Sequence, residues 1–167
     1  MKFIIRLFSA LIITFSYIEL AYSKTTKIII FGDSLIAGYG LVVEDNFVNQ
    51  LKLKTIENKI NNLILFNSGV SGETSTGLSN RYKWVLEDNY DGVIILIGAN
   101  DALRGIDPTL TSQNIEKILS YLKEKQIPTM LIGMKAPNNL GEIYVNEFNA
   151  IYPKLSKKYD TAYYPFF

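Results

Sequence analysis

Residues 27–35 carry the sequence KIIIFGDSL, which predicts the first strand of the fold and the turn that follows it. The run of isoleucine and phenylalanine has no polar alternation, and such runs are typical of parallel strands that are buried on both faces. Gly32 permits a sharp turn directly after this strand. Ser34 is therefore predicted at the end of a buried strand, which is where a nucleophilic serine would be presented.

Three further apolar runs repeat the same pattern along the chain, and each ends at glycine or at Ser-Gly. They are residues 63–67, 92–97 and 129–132, and a fifth strand is expected to begin at Ala162. Their continuous hydrophobicity again indicates strands that are covered on both faces.

Helical periodicity lies between these runs. It predicts helices over residues 46–57 and 77–87, and two further helices whose apolar stripes run through residues 115–122 and 144–155. Asp107 is a suitable N-cap for the third helix, and Pro108 suits its first position. Pro153 interrupts the last stripe, so a kink or break is expected there.

Strand and helix alternate about four times, which predicts an α/β fold arranged as an open three-layer α/β/α sandwich around a parallel sheet. The chain shows no internal repeat and no linker, so residues 24–167 are expected to form one domain. Right-handed crossovers place the carboxyl ends of all parallel strands, and any site built on them, at one edge of the sheet.

Residues 1–23 have the three-part organisation of a secretory signal peptide. Lys2 and Arg6 precede an apolar stretch, and residues 21–23 (Ala-Tyr-Ser) place small residues at a suitable cleavage site. An uncleaved anchor is the alternative. We favour cleavage because Glu19 interrupts a stretch already shorter than the roughly 20 apolar residues that span a bilayer. The mature protein is expected to be periplasmic or secreted, with no stable membrane span.

The composition excludes several functions. The 17 basic and 16 acidic residues give a net charge of +1, and no basic tract is present, so a nucleic-acid partner is not expected. The 167 residues contain no cysteine and no histidine. Disulfides, thiolate metal sites and a histidine-containing catalytic triad therefore cannot be completed from these residues alone.

Polar groups that suit ester chemistry follow three of the predicted strands. Ser34 follows the first, Gly72 lies in the loop after the second, and Asn100 follows the third. The N–H groups of Ser34 and Gly72 and the side-chain amide of Asn100 could bind the oxyanion that forms when a serine attacks an ester. Asp33 and Asp101 are interpreted as turn or capping carboxylates rather than catalytic bases.

The motifs at residues 32–35 (Gly-Asp-Ser-Leu), Gly72 and residues 98–101 (Gly-Ala-Asn-Asp) resemble those of the GDSL, or SGNH, hydrolase family. The likeness is strongest to its bacterial periplasmic thioesterase, lysophospholipase and arylesterase branch. The resemblance implies a flavodoxin-like sheet and a Ser34 nucleophile. It also implies an oxyanion hole from Ser34, Gly72 and Asn100, and hydrolysis of small carboxylic esters and thioesters without metal or organic cofactor. The loop of residues 102–106 would flank the acyl pocket.

The same family completes its triad with an Asp-x-x-His block after the fifth strand, and residues 1–167 contain no such block. We therefore expect the C-terminal part of the family fold to be missing, and this chain to be inactive or nearly so. A non-catalytic exported module that binds lipid or acyl groups remains an alternative. A flavodoxin-like phosphate binder is disfavoured because residues 32–35 lack the spaced glycines of a phosphate loop. The oligomeric state stays open.

Overall fold

The structure is a computed structural model that describes residues 24–167, so the predicted signal segment 1–23 lies outside the described residues. Its centre is a five-stranded parallel sheet in the order β2-β1-β3-β4-β5. This is the flavodoxin-like order, and it confirms the predicted fold class. The strands are β1 Thr26–Gly32, β2 Leu63–Gly69, β3 Gly92–Leu96, β4 Thr129–Ile132 and β5 Ala162–Tyr164.

Helices connect the strands and form the outer layers. They are α1 Ser34–Ala37, α2 Phe47–Glu57, α3 Ser75–Val85, α4 Ala99–Leu103, α5 Pro108–Glu124 and α6 Glu142–Tyr159. Helices α3, α5 and α6 pack side by side on one face of the sheet, while α2 packs against β2 and α1. Right-handed crossovers put α2 on the opposite face, because the chain runs from β1 to β2 in one direction and from β2 to β5 in the other. Within the described range, no helix is both long and apolar enough to cross a membrane.

The centre of the sheet forms the core. Ile30 and Phe31 of β1 and Ile95 of β3 are completely buried, as the continuous apolar runs predicted. The prediction is wrong for β2, where Ile64 is 44% exposed. The reason is topological: β2 is an edge strand, and its sequence does not distinguish an edge position from a central one.

Local signals place the helix boundaries. The Asp107 carboxylate caps α5 by accepting a hydrogen bond from Thr109 N over 2.7 Å, and Pro108 is its first residue, as predicted. Helix α3 begins at Ser75, two residues earlier than predicted, because the Thr74 side chain caps it.

Helix α6 continues through Pro153, so the expected break at this residue is wrong. Proline removes one backbone hydrogen bond from a helix interior, which costs about 3 kcal/mol. Pro153 itself is exposed, while Phe148 and Tyr152 on the other side of the helix are buried in the core. The packing of this buried face stabilises the helix more than the proline destabilises it.

Candidate active site

Ser34, Gly72 and Asn100 follow three neighbouring strands at their carboxyl ends. Ser34 begins α1 directly after β1, Asn100 lies in α4 after β3, and Gly72 lies in the loop after β2. The chain leaves β1 toward β2 and leaves β3 toward β4, so the crevice between the ends of β1 and β3 is the topological switch point of the sheet. Ligands of open parallel sheets bind at this point. The structure therefore brings all of the predicted site residues to the edge where a ligand is expected.

The turn that presents Ser34 is held by its neighbours. The Asp33 carboxylate caps α1 by accepting a hydrogen bond from Leu35 N over 3.0 Å. The backbone N–H groups of Gly38 and Tyr39 both donate to the Ser34 carbonyl oxygen, which closes this one-turn helix. The backbone of Ser34 is thus fixed on both sides at the end of β1.

The loop after β2 lies against this turn and exposes a glycine amide. Val70 N donates to the Gly32 carbonyl over 2.9 Å, which joins the loop to the residues that precede Ser34. Gly72 has a φ of +79°, a conformation that a side chain would strain. Among the hydrogen bonds of residues 24–167, none uses the N–H of Gly72 or of Ser34. Both donors are available to a ligand.

Asn100 is half-buried and holds the same loop. Its Nδ2 donates to the Glu73 carbonyl over 2.9 Å. A carboxamide carries two N–H bonds, so this contact leaves a second N–H for a ligand. Arg104, one turn further on, donates from Nη2 to the Gly72 carbonyl over 2.9 Å.

Both buried aspartates accept hydrogen bonds from other residues of the fold. Asp101 is fully buried, and its carboxylate accepts hydrogen bonds from Ser75 and Thr111. Asp33 is also fully buried, and its Oδ2 has no hydrogen-bond partner among the described residues. Burial raises the pKa of Asp33, and the nearby carboxylates of Asp101 and Glu73 raise it further, although the hydrogen bond from Leu35 N acts in the opposite direction.

A partly buried ion pair beside the loop was not predicted from the sequence. Arg81 donates from Nε to Glu73 Oε1 over 2.6 Å and from Nη2 to Oε2 over 2.7 Å. Its Nη1 also donates to Ser68 Oγ over 2.8 Å. This pair fixes Glu73, the residue after Gly72. In the sequence this ion pair is visible only as two opposite charges eight positions apart. That spacing does not indicate contact between side chains of one helix.

Within residues 24–167, Ser34 Oγ makes no hydrogen bond, and the Oδ2 atom of the adjacent Asp33 is not bonded to it. Residues 24–167 also contain no group of three or more acidic side chains placed to hold a metal ion.

The parallel sheet carries a Gly-Asp-Ser-Leu turn after β1 and a Gly-Ala-Asn-Asp turn after β3. The chain belongs to the GDSL-like lipase/acylhydrolase family, which matches residues 30–167. By family it is a carboxylic ester hydrolase, as the motifs predicted.

Characterised relatives cover most of the chain. It is 31% identical over 164 residues to an arylesterase of Vibrio mimicus, and the aligned region covers 98% of this chain and 80% of that protein. It is 34% identical over 141 residues to thioesterase 1/protease 1/lysophospholipase L1 of Escherichia coli K12, covering 84% of this chain and 66% of that protein.

Solved structures agree with this family. The SGNH-hydrolase family esterase AlinE4 superposes with a TM-score of 0.83 at 41% identity, covering 88% of this chain and 79% of that one. The psychrotrophic esterase EstA from Pseudoalteromonas sp. superposes with a TM-score of 0.77 at 30% identity, covering 83% of this chain and 76% of that one.

Proposed function

We propose that Ser34 is the nucleophile of a serine ester hydrolase and that Ser34 N–H, Gly72 N–H and Asn100 Nδ2 form its oxyanion hole. The observation that carries this proposal is that both backbone N–H groups lack an acceptor within residues 24–167, at the edge where Asn100 has an N–H to spare. Donors aimed at a developing oxyanion are each worth about 3 kcal/mol in the transition state.

The reaction then proceeds in two steps. Ser34 Oγ attacks the carbonyl carbon of the ester, and the carbonyl oxygen becomes an oxyanion bound by the three donors. A base takes the Ser34 proton and returns it to the leaving oxygen or sulfur as the intermediate collapses to an acyl-serine and releases the alcohol or thiol. Water then hydrolyses the acyl-serine to the carboxylic acid and free Ser34. In this proposal residues 24–167 contribute the nucleophile and the donors.

A base must also take the proton of Ser34, and none of the 167 residues is a histidine. A serine hydroxyl is a weak nucleophile at neutral pH without such a base. We propose that these residues by themselves are inactive or nearly so, with at most the residual rate, roughly 10³-fold over water, that donors and binding alone can supply. An Asp-x-x-His block, which the family resemblance implies, would provide the base and orient it.

The substrates are proposed to be small carboxylic esters or thioesters of the arylesterase, lysophospholipase or acyl-thioesterase type. The names of the relatives from Vibrio mimicus and Escherichia coli support these classes. The signal-like residues 1–23 support export to the periplasm or the medium.

The experiment compares p-nitrophenyl acetate hydrolysis by the 167-residue chain and by the same chain extended with a family-type segment carrying Asp-x-x-His. Ser34→Ala is made in both. The proposal expects hydrolysis by the extended chain that Ser34→Ala abolishes. A folded extended chain without Ser34-dependent hydrolysis contradicts it, and tight binding of a fatty acid to that inert chain would favour a non-catalytic acyl-binding module.

A further inference from the structure

The proposed oxyanion hole draws its donors from separate segments of the chain. Gly72 belongs to the loop between β2 and α3, whereas Asn100 belongs to α4 after β3. Donors serve an oxyanion only if they lie about 2.7–3.1 Å from the position that the oxygen takes in the transition state. Something must therefore fix these two segments relative to one another.

The fully buried Asp101, which follows Asn100, is joined to the loop at Ser75. Asp101 Oδ2 accepts a hydrogen bond from Ser75 N over 2.8 Å, and Oδ1 accepts one from Ser75 Oγ over 2.5 Å. A carboxylate that receives both the backbone and the side-chain donor of one residue sets its orientation as well as its distance.

Helix α5 donates further hydrogen bonds to both Asp101 and Ser75. Thr111 Oγ1 donates to Asp101 Oδ1 over 3.1 Å. Asn114 Nδ2 donates to Ser75 Oγ over 3.1 Å and to Thr76 Oγ1 over 2.9 Å. All the donors around Asp101 thus come from residues held in regular helices or at their first turn.

Two further bonds extend the connection to the donors themselves. Asn100 Nδ2 donates to the Glu73 carbonyl and Arg104 Nη2 donates to the Gly72 carbonyl, each over 2.9 Å. Loop residues 72 and 73, and Ser75 at the start of α3, are consequently joined to residues 104, 100 and 101 in and directly after α4. Of these contacts, only the one at Asp101 is fully buried from solvent.

We propose that Asp101 is a positioning residue that holds the Gly72 and Asn100 donors in register through its paired hydrogen bonds to Ser75. This inference rests on the proposed function, because it assigns a purpose to a contact between two segments that carry the proposed donors. In this proposal Asp101 does not touch the substrate. It binds Ser75, and Ser75 fixes the end of the loop that carries Gly72.

The test uses the ¹⁵N-labelled chain and the variants Ser75→Ala and Asp101→Asn. Ser156→Ala is the matched control. Ser156 is also a buried serine whose hydroxyl bonds within the fold, to Thr161, but it lies at the opposite edge of the sheet. The readouts are the NMR cross-peaks of the Gly72 amide and the Asn100 side-chain amide, together with the melting temperature. Ser75→Thr retains a hydroxyl and serves as the conservative rescue.

The proposal expects Ser75→Ala and Asp101→Asn to shift or broaden both sets of cross-peaks, Ser75→Thr to restore them, and Ser156→Ala to leave them in place. Unchanged Gly72 and Asn100 signals alongside a lowered melting temperature would show that Asp101 is only a stabilising residue, and would overturn the proposal.

A kinetic readout on the extended chain separates this inference from the proposed function. If the extended chain is active, Ser75→Ala is expected to lower kcat by about tenfold to a hundredfold with KM little changed, because misplaced donors weaken only the transition state. A loss confined to KM would contradict the inference. If the extended chain is inert while the NMR result holds, the proposed function fails and the positioning contact stands.

Discussion

A methyl group on Gly98 would lie 2.1 Å from Oη of Tyr152, whose hydroxyl donates a hydrogen bond to the Ile97 carbonyl over 2.8 Å. Gly98 also has a φ of +117°, which residues with a side chain rarely adopt. Tyr152 of α6 therefore packs directly against the turn between β3 and α4. Asn100 lies two residues after Gly98 in the chain. Its position therefore depends on the absence of a side chain at Gly98.

The first prediction concerns this pair. Gly98→Ala is expected to destabilise the fold strongly, because it adds both a clash and backbone strain. Tyr152→Phe is expected to cost about 1–3 kcal/mol, since the Ile97 carbonyl loses its partner. The double variant is expected to cost less than the sum, because removing the hydroxyl leaves the next atom of residue 152 at 3.4 Å. Urea unfolding of the three variants measures this coupling, and strictly additive free energies would contradict it.

The second prediction concerns the pH dependence of stability at Asp33. Burial raises the pKa of this carboxyl, so its folded state prefers the protonated form. Its contribution to stability is fully present below the ordinary pKa of 3.8 and is lost as the pH rises through the raised folded pKa. Asp33→Asn cannot ionise, so it removes this pH-dependent loss of stability, and its side-chain oxygen still accepts the hydrogen bond from Leu35 N. The variant is expected to gain stability relative to the parent chain as the pH rises from 4 to 8.

Thermal unfolding between pH 4 and pH 8 measures this difference, which is expected to grow with pH. Asp45→Asn, on an exposed turn, is the control and should show a smaller pH-dependent difference. A difference for Asp33→Asn that stays constant or falls as the pH rises would be inconsistent with an unpartnered buried carboxylate.

The third prediction concerns the ion pair beside the Gly72 loop. The side chains of Arg81 and Glu73 are 20% and 6% exposed. Arg81→Met leaves a buried carboxylate without its partner and is expected to cost about 3 kcal/mol. Arg81→Met combined with Glu73→Gln is expected to recover part of that loss, since no unpaired charge remains.

The matched control is Lys54→Met, which breaks the exposed pair Lys54–Glu57, 67% and 60% exposed, and should cost about 0.5 kcal/mol or less. Guanidinium unfolding is unsuitable because its salt screens ion pairs, so urea is the denaturant. Equal losses for Arg81→Met and Lys54→Met would show that the Arg81–Glu73 pair stabilises the fold no more than an exposed pair does.

Much of the fold follows from local sequence signals. The strand over residues 129–132 and the Asp107 cap of α5 are as predicted, because short apolar runs and capping residues act within a few positions. The break expected at Pro153 is wrong because distant packing outweighs a local penalty. The exposed Ile64 was not foreseen, since strand order is a property of the whole sheet.

The candidate site was likewise predicted only in part. The placement of Ser34, Gly72 and Asn100 at one edge was predicted, because parallel topology brings all strand ends together. The contacts that hold them were not. Ser75 and Asp101 are 26 positions apart, and the orientation of their side chains depends on how α3 and α4 pack.

Asn100 is proposed to donate to the same oxyanion that Ser34 creates, and this is measured by kcat of the Asn100→Ala variant of the extended chain. Asn149→Ala is the control, because within residues 24–167 the Asn149 side chain accepts a hydrogen bond from Ala136 N and makes none to the proposed donors. Asn100→Ala is expected to lower kcat for p-nitrophenyl acetate by about 10²–10³-fold with KM nearly unchanged, while Asn149→Ala has little effect. A folded Asn100→Ala variant that retains the kcat of its parent would exclude Asn100 from the oxyanion hole.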